Sequence, residues 1–229
     1  MNESFRIALA GNPNTGKSTL FNLLTGLKQH TGNWAGKTVD LKTGTFSFKN
    51  NTYEMIDLPG TYSLFSNSFD EKIARDYIIF EKPDVTLVIL DATALERNMN
   101  LALQVMEMTN RVIICINLID EAEKLGIKIN EKRLMRRLGV PVIKISARNK
   151  SGISMLLDTI DRIVSGAVQC TPHQMVYDEE TERKIELLLP KVQKIAGEKF
   201  PARWLSLRLL DGDRELLQQI EQKIMHMEV

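Results

Sequence analysis

The stretch GNPNTGKS at residues 11–18 decides the fold that we expect for this chain. It matches the phosphate-binding pattern GxxxxGK(S/T), and it lies between an apolar run at residues 5–10 and a helical segment at residues 17–24. Glycines in such a loop let backbone N–H groups turn towards phosphate oxygens, and the following helix adds the positive end of its dipole. A chance glycine-rich turn is the alternative, but the strand before the loop and the helix after it argue against that. The residues predicted to bind a nucleotide here are Gly11, Asn12, Pro13, Asn14, Thr15, Gly16, Lys17, Ser18 and Thr19.

Two sets of side chains would serve the phosphates and a magnesium ion. Lys17 would place its charge against the β- and γ-phosphates, and the Ser18 hydroxyl would bind Mg²⁺. The sequence DLPG at residues 57–60 matches DxxG, in which Asp57 would hold Mg²⁺ through a water and the Gly60 N–H would sense the γ-phosphate. DxxG alone is a common turn. Its position after a phosphate-binding loop favours the functional interpretation.

The sequence NLID at residues 117–120 predicts which base the site selects. Asp120 could accept hydrogen bonds from the guanine ring N–H and amino group, whereas adenine offers neither donor and would leave the carboxylate unpaired. Asn117 would brace the loop and contact the base. In isolation, Asn-x-x-Asp is more often a helix cap. The loop after the last predicted strand supports guanine, because a backbone N–H of Ser146, Ala147 or Arg148 could meet the guanine O6.

Short apolar runs alternate with helical segments through about residue 165. Six runs predict strands, at residues 5–10, 42–49, 52–57, 85–90, 112–116 and 142–145. Five segments predict helices, at residues 17–24, 71–80, 98–108, 131–138 and 155–164. This alternation predicts an α/β fold, and the phosphate-binding, DxxG and base motifs within it indicate the Ras-like P-loop GTPase class. We expect a mixed, mostly parallel six-stranded sheet with helices on both faces and an antiparallel hairpin at its edge.

The sequence changes character after residue 165. We predict a GTP-binding G domain at residues 1–165, a linker at 166–174 and a small all-helical domain at 175–229. Amphipathic segments at residues 179–195, 203–210 and 214–227 predict its helices. Because such a short helical region makes a small core, we expect it to pack against the first domain or against a partner.

The composition excludes several classes of protein. Lys and Arg number 30 against 29 Asp and Glu, so no strong net charge draws the whole chain to a polyanion. The two cysteines and three scattered histidines predict neither a disulfide scaffold nor a transition-metal site. No signal peptide and no apolar run of about 18 residues are present, so we expect a soluble, cytoplasmic chain. The basic pairs at residues 132–133 and 136–137 are either solvated or able to meet anionic lipid headgroups.

Several longer strings are more specific than these generic motifs. They are GNWAGKTV at residues 32–39, DLPGTYSL at 57–64, LERN at 95–98, NLIDEA at 117–122 and SAR at 146–148. Together they resemble the cytosolic N-terminal region of the ferrous iron transport protein B (FeoB) family. The resemblance covers about residues 5–165 by motif. It extends over the helical tail by position, because that family follows its G domain with a small GDI-like helical domain before its membrane part.

The resemblance implies further site residues and a cellular setting. Thr38, in a first switch segment, would bind Mg²⁺ and contact the γ-phosphate. Asn14 would bind K⁺, with backbone carbonyls of Gly32, Asn33 and Trp34 completing the cage. The family implies the cytoplasmic face of the bacterial inner membrane, with the transporter's membrane portion, in the same polypeptide, as partner; self-association is a further expectation. The residues expected to act in catalysis are Lys17, Thr38, Gly60 and Asn14.

Three positions depart from the usual patterns. Lys37 stands where the family often has a small apolar residue, which affects packing of the potassium loop. Leu118 replaces the lysine of other GTPases, which removes a stacking stem from the base. Thr61 stands where Ras-like enzymes place a glutamine that orients the attacking water. We therefore predict slow GTP hydrolysis stimulated by potassium, with residues 31–39 and 58–69 as switches that order around the γ-phosphate.

Two other functions compete with a GTPase module that regulates or drives ferrous iron uptake. One is a soluble GTPase linked to RNA or ribosome assembly, and the other is a nucleotide-gated binding module with incidental hydrolysis. An RNA-linked protein would call for a basic domain, whereas the tail from Pro172 has eleven acidic residues against nine Lys and Arg. We therefore predict no nucleic-acid partner. Kinetics, rather than sequence, would distinguish the binding module.

Overall fold

The computed structural model describes residues 3–26, 29–33, 39–65 and 68–227, without the side chains of residues 31–33, 214 and 224–227. The chain divides into two compact units, Met1–His173 and Gln174–Val229. The first unit contains the sheet and every motif quoted above. The second is built from helices.

A seven-stranded sheet forms the centre of the first unit. Its strands are β1 (Ser4–Gly11), β2 (Gln29–Asn33), β3 (Asp40–Phe48), β4 (Asn51–Asp57), β5 (Val85–Asp91), β6 (Val112–Asn117) and β7 (Val142–Lys144). Their order across the sheet is β2-β3-β4-β1-β5-β6-β7. The pairs β2–β3 and β3–β4 are antiparallel and the other pairs are parallel. The prediction of a mixed, mostly parallel sheet is confirmed.

The predicted count of six strands was wrong because β2 had been assigned largely to a switch segment. β2 has the sequence QHTGN and contains no apolar residue, so it gives no alternating signal. It joins the sheet through its backbone, with His30 opposite Thr43 and Gly32 opposite Leu41 on β3. An edge strand that needs only backbone hydrogen bonds can form without an apolar face.

Helices of the first unit cover the sheet. They are α1 (Lys17–Thr25), α2 (Phe69–Asp76), α3 (Leu95–Met108), α4 (Ile119–Lys124), α5 (Glu131–Leu138) and α6 (Ile153–Val164). A π-helical turn, Tyr77–Glu81, continues α2. The sequence did not predict α4 as a separate helix, because its six residues IDEAEK are mostly charged and lack an apolar period.

The core lies on the central strands. Ile7 and Leu9 of β1, Leu87 of β5 and Ile113 of β6 are fully buried, as expected for parallel strands covered on both faces. Cys115 of β6 is fully buried in the same cluster, and burial raises the pKa of its thiol well above the usual value. This thiol is therefore a core side chain.

The parallel strands place the motifs at one edge of the sheet. The phosphate-binding loop follows β1, DxxG begins at the end of β4, NLID begins at the end of β6, and the Ser146 loop follows β7. Ligands of open α/β sheets bind outside the carboxyl ends of the strands. The topology therefore gathers segments that are far apart in sequence.

Two residues of the predicted linker at 166–174, Thr171 and His173, contact the turn after α5 within the first unit. The Thr171 N–H donates to the Gly139 carbonyl over 3.0 Å, and the His173 N–H donates to the Leu138 carbonyl over 2.9 Å. Gly139 has a φ of 72°, and a Cβ added there would lie 2.0 Å from the Thr171 carbonyl oxygen. A glycine is therefore required where these segments meet.

The second unit contains α7 (Glu179–Ala196), α8 (Ala202–Asp211) and α9 (Arg214–Met227). An ion pair fastens the start of α7 to α8, because Arg203 donates to both carboxylate oxygens of Glu182 over 2.9 and 2.7 Å. The Tyr177 N–H donates to the same carboxylate over 2.8 Å. The Arg203 hydrogen bonds, followed by that of Tyr177, lower the pKa of Glu182 to about 2.

Candidate nucleotide-binding site

The loop between β1 and α1 has the tight backbone that a phosphate cradle requires. Asn14 and Gly16 adopt left-handed φ angles of 66° and 81°. The buried Thr15 hydroxyl donates to the Asn12 carbonyl over 2.9 Å, which closes the loop. A Cβ added to Gly11 would lie 2.9 Å from the Ile89 carbonyl oxygen, so this position also requires a glycine.

Lys17 links the phosphate loop to DxxG. Its Nζ forms an ion pair with Asp57 Oδ1 and donates to the Leu58 carbonyl over 2.5 Å. The Lys17 and Asp57 side chains are only 12% and 10% exposed. The structure thus brings together the two side chains predicted to serve phosphate and magnesium.

Backbone contacts hold the start of the second switch segment beside this loop. The Leu58 N–H donates to the Leu9 carbonyl over 3.1 Å, and the Thr61 N–H donates to the Gly11 carbonyl over 3.3 Å. Gly60 lies against Pro13, since a Cβ added to Gly60 would be 3.5 Å from the Pro13 nitrogen. The Gly60 backbone therefore approaches the loop that would carry the phosphates.

Asn117 joins three segments of the site. Its Nδ2 donates to the Thr15 carbonyl over 2.9 Å, and its Oδ1 accepts from the Ala147 N–H over 3.0 Å. The residue is 1% exposed. A Cβ added to Gly16 would lie 2.2 Å from Asn117 Nδ2, so the phosphate loop and the asparagine are in close contact. This amide fixes the base loops relative to the phosphate loop.

Asp120 lies half-buried in the first turn of α4. Its Oδ2 accepts a hydrogen bond from Asn149 Nδ2 over 3.1 Å. Its Oδ1 is buried and accepts no hydrogen bond from the described residues. The pKa of Asp120 lies below its usual value, chiefly because of the neighbouring Ser146 side chain, and the carboxyl is therefore ionised at neutral pH.

The loop after β7 is closed by its own backbone. Ser146 and Ser151 exchange two N–H to carbonyl hydrogen bonds, each 3.1 Å long. Ser146 and Ala147 are buried, whereas Arg148 is exposed. The Ala147 N–H is engaged by Asn117, so a contact to guanine O6 from this N–H would have to be shared.

The sequence did not single out two residues that anchor the site. Asn149, the donor to Asp120, lies directly after SAR, but an exposed asparagine in a loop has no distinguishing signal. Gln104 on α3 accepts from the Leu64 N–H over 2.6 Å and so holds the second switch segment. Nothing in the helical pattern of α3 marks this residue, because the contact joins distant segments.

The two predicted switch segments, residues 31–39 and 58–69, are described in part. Thr38, Trp34 and Lys37 lie outside the described residues, and Gly32 and Asn33 are described only by the backbone of β2. Asn14 and Ser18 are exposed, as the predicted potassium and magnesium ligands would need to be. No group of three or more His, Cys, Asp or Glu residues among those described is arranged to hold a metal ion.

Two polar groups without hydrogen-bond partners allow us to ask whether a nucleotide fits the site. The Asn12 amide, in a residue only 1% exposed, has no hydrogen-bond partner in the described structure, and neither has Asp120 Oδ1. One lies in the phosphate loop and the other in the base loop. Because buried polar groups are normally paired, both are placed as if for a ligand. A guanine nucleotide offers partners at each end, so the residues fit it.

Comparison with known proteins agrees with this geometry. The profile of the family described as Ferrous iron transport protein B matches residues 5–160, and that of the FeoB cytosolic helical domain matches residues 177–228. The chain belongs to the FeoB family. The resemblance inferred from the quoted strings is therefore confirmed, and it extends through the helical second unit.

FeoB relatives match nearly the whole chain. An Fe(2+) transporter FeoB of Shigella flexneri is 40% identical over 215 residues, covering 90% of this chain and 27% of the relative. A fusion of Fe(2+) transport protein A with FeoB from Porphyromonas gingivalis is 39% identical over 215 residues, covering 92% of this chain and 26% of the relative. The chain thus spans about a quarter of the length of these relatives. Among its described residues, no helix is long and apolar enough to cross a bilayer.

Solved FeoB structures have the same fold. The cytosolic domain of T. maritima FeoB in a GDP form is 37% identical with a TM-score of 0.87, covering 98% of this chain and 86% of that one. The cytosolic domain of L. pneumophila FeoB is 33% identical with a TM-score of 0.84, covering 97% and 88%. The predicted P-loop GTPase fold with a helical second part is confirmed.

Proposed function

We propose that this chain binds guanine nucleotides, hydrolyses GTP slowly and forms the cytosolic nucleotide-binding part of a ferrous iron transporter at the bacterial inner membrane. The observation that carries the proposal is the Asn117 network, which joins the phosphate loop to the loop beside Asp120. The match of both units to FeoB domains supports the transport setting. It does not favour an RNA-linked GTPase.

Base selection would come from the ionised Asp120. Its buried Oδ1 and its Oδ2 would accept hydrogen bonds from the guanine ring N–H and amino group. Adenine would leave a buried carboxylate oxygen unpaired, which costs roughly 1–3 kcal/mol or more for a charged group. Asn149 and Ser146 keep the carboxylate in place before the base arrives.

Phosphate binding would exchange one set of contacts for another. Lys17 would leave its direct ion pair with Asp57 for the β- and γ-phosphate oxygens. Magnesium, held by Ser18, Thr38 and Asp57, would neutralise charge on the phosphates. The Gly60 N–H would then meet the γ-phosphate, and the second switch segment would move with it.

Hydrolysis would depend on positioning. Thr61 is 5% exposed, and its N–H is bonded to Gly11, so its short side chain is a poor substitute for a glutamine that orients water. The phosphate loop, Lys17 and the backbone at Gly60 would supply most of the stabilisation of the transferring phosphoryl group. The expected rate is therefore that of an unassisted GTPase.

Potassium would add a positive charge beside the phosphates. The exposed Asn14, which has a φ of 66°, would bind it, with backbone carbonyls at Gly32 and Trp34 as the implied partners. The positive charge of the potassium ion would perform the role that an arginine finger performs in other GTPases. The helical second unit would relay the nucleotide state to the membrane part, and self-association would be a further route of regulation.

The test is phosphate release from GTP and ATP by the purified chain with Mg²⁺, in K⁺ and Na⁺ buffers of equal ionic strength. We expect turnover on the order of 10⁻⁴ to 10⁻³ per second with GTP in Na⁺, faster turnover in K⁺, and none above background with ATP. Asn14→Leu should remove the potassium effect while leaving GDP affinity within about threefold, since the phosphate cradle uses backbone N–H groups. Equal turnover of ATP would overturn the guanine assignment, and equal rates in the two salts would overturn the potassium site.

A further inference from the structure

A positively charged surface lies beside the edge strand β7. It is formed by a part of the chain that is distant in sequence from the phosphate loop. We call residues 124–137, from the end of α4 through α5, the basic edge. Glu131 at the start of α5 pairs with Lys144 of β7 over 2.9 Å, which fixes this segment to the sheet. Of the chain's 30 Lys and Arg, six fall in the basic edge, together with one of its 29 acidic residues. The six are Lys124, Lys128, Lys132, Arg133, Arg136 and Arg137.

These six cations are exposed, and two of them act electrostatically on nearby carboxylates, Lys124 on Asp120 and Lys132 on Glu131. None of them forms an ion pair with any residue that the structure describes, and the single acidic residue, Glu131, is already paired with Lys144. On α5, Lys132 with Arg136 and Arg133 with Arg137 stand one turn apart, opposite the buried Leu138. Since the chain as a whole carries a formal charge of only +1, this is a local concentration of charge.

Apolar side chains are exposed among the cations. Leu125 is 67% exposed, Met135 is 38% exposed and Ile127 is 36% exposed. Cations mixed with exposed aliphatic groups are typical of surfaces that lie at a bilayer interface, where headgroups take the charge and the acyl boundary takes the apolar groups. Single-stranded nucleic acid would instead call for aromatic stacking platforms, and residues 124–137 contain no aromatic residue.

We propose that the basic edge docks the first unit on the anionic surface of a phospholipid bilayer. The family relatives are named as transporters, and this chain spans about a quarter of their length, so a membrane is a neighbour that such a surface would meet. The inference does not rest on nucleotide hydrolysis. A chain that neither bound nor cleaved GTP would still carry the surface.

The test is sedimentation of the purified chain with vesicles of phosphatidylcholine, with and without phosphatidylglycerol. We expect binding only to the anionic vesicles, weakened by salt. Each Lys or Arg near such a surface strengthens binding by about fivefold at low salt, so Arg133→Gln with Arg136→Gln should weaken it by roughly 25-fold. The matched control is Lys191→Gln with Lys194→Gln, which removes two exposed cations from α7 and should change binding by less than about twofold.

Thermal unfolding and GDP titration of both double variants would test whether they are folded, since none of the four residues belongs to the nucleotide site. Leu125→Ser should reduce the part of the binding that survives high salt, since that part comes from the apolar contact. Equal binding to neutral and anionic vesicles would overturn the proposal, and so would equal losses in the two double variants. Tighter binding of the basic edge to RNA than to the vesicles in a filter assay would reassign it to nucleic acid and also overturn the proposal.

Discussion

The base end and the phosphate end of the candidate site are built differently. At the base end, the loop after β7 donates hydrogen bonds to Asn117 and Asp120, and Asn117 donates one to the phosphate loop. At the phosphate end, Lys17 and Asp57 are held chiefly by each other, and part of each switch segment lies outside the described residues. The contacts at the base end form when the chain folds. Those at the phosphate end can be replaced by contacts with a ligand.

Under the proposed function, this difference would allow one fold to select a nucleotide and to report its state. Selection requires a carboxylate that stays in place, and the buried Asn117 amide, which is hydrogen-bonded through both its oxygen and its nitrogen, fixes the position of the loops around that carboxylate. Reporting requires a region whose contacts change with the γ-phosphate. The second switch segment fits this role, since Tyr62, Phe65 and Phe69 are exposed beside it while Leu64 is tied to Gln104.

The largest effect should come from breaking the base end at Asn117. Asn117→Ala leaves the Thr15 carbonyl and the Ala147 N–H unpaired in a buried place, at about 1–3 kcal/mol each. We expect GDP affinity to fall by roughly 100-fold or more, and the melting temperature to fall as well. Calorimetry and thermal unfolding measure both. A variant that kept GDP affinity within fivefold would show that the amide does not organise the site.

Breaking the phosphate end should affect turnover more than base choice. Lys17→Met removes the charge expected at the γ-phosphate, and we expect GTP hydrolysis to fall by about 100-fold. The preference for guanine over adenine should persist, because Asp120 and its partners are untouched. Single-turnover phosphate release and competition with ATP test this. Loss of base preference in this variant would show that the two ends are not separable.

A smaller loss of affinity is expected from a substitution at Asn149, which contacts Asp120 at the base end. Asn149→Ala removes a single hydrogen bond to Asp120 Oδ2, at about 0.5–1.5 kcal/mol, so GDP affinity should fall by roughly three- to tenfold. Arg148→Ala, an exposed neighbour in the same loop, is the control and should change affinity less. Equal effects of the two substitutions would remove Asn149 from the site.

The smallest expected effect is that of pH on guanine binding. Since the pKa of Asp120 lies below its usual value, its carboxylate stays ionised through the range from pH 8 down to about pH 5. The preference for GDP over ADP should be flat over this range and fall only as the pH approaches the lowered pKa, because the terminal phosphate titrates near pH 6 in both nucleotides and cancels in the comparison. Titrations with both nucleotides at several pH values would measure this preference. A drop in the preference between about pH 7 and 6 would mean that Asp120 is protonated far more easily than its surroundings indicate.

The sequence predicted those parts of the fold that have a periodic apolar signal or a motif. The runs of β1, β5 and β6 could be predicted because parallel strands covered on two faces are apolar throughout, and the bounds predicted for α5 and α9 agree with the structure. β2 was missed because its edge pairing is made by the backbone alone. The short charged α4 was missed because it has no apolar face.

For the site, the sequence identified the motifs but not how they are held. The spacing of Asn117 from the phosphate loop gives no hint that its Nδ2 reaches the Thr15 carbonyl, since that contact spans 102 positions and depends on strand order. Asn149 and Gln104 were missed for the same reason. Such residues act through the folded arrangement of loops, and a single sequence carries no local pattern for them.

The central claim is that Asp120 selects guanine. The most direct test is to substitute this residue and measure which base the site then prefers. Xanthine carries a carbonyl where guanine carries its amino group, so Asp120→Asn should replace an acceptor by a donor that suits xanthine. Calorimetry with GDP, ADP and xanthosine diphosphate should show that the wild-type chain prefers GDP by at least about 100-fold over the others. The variant should prefer xanthosine diphosphate to GDP. Comparable affinity of the wild-type chain for ADP and GDP, or an unchanged preference in the variant, would contradict the account.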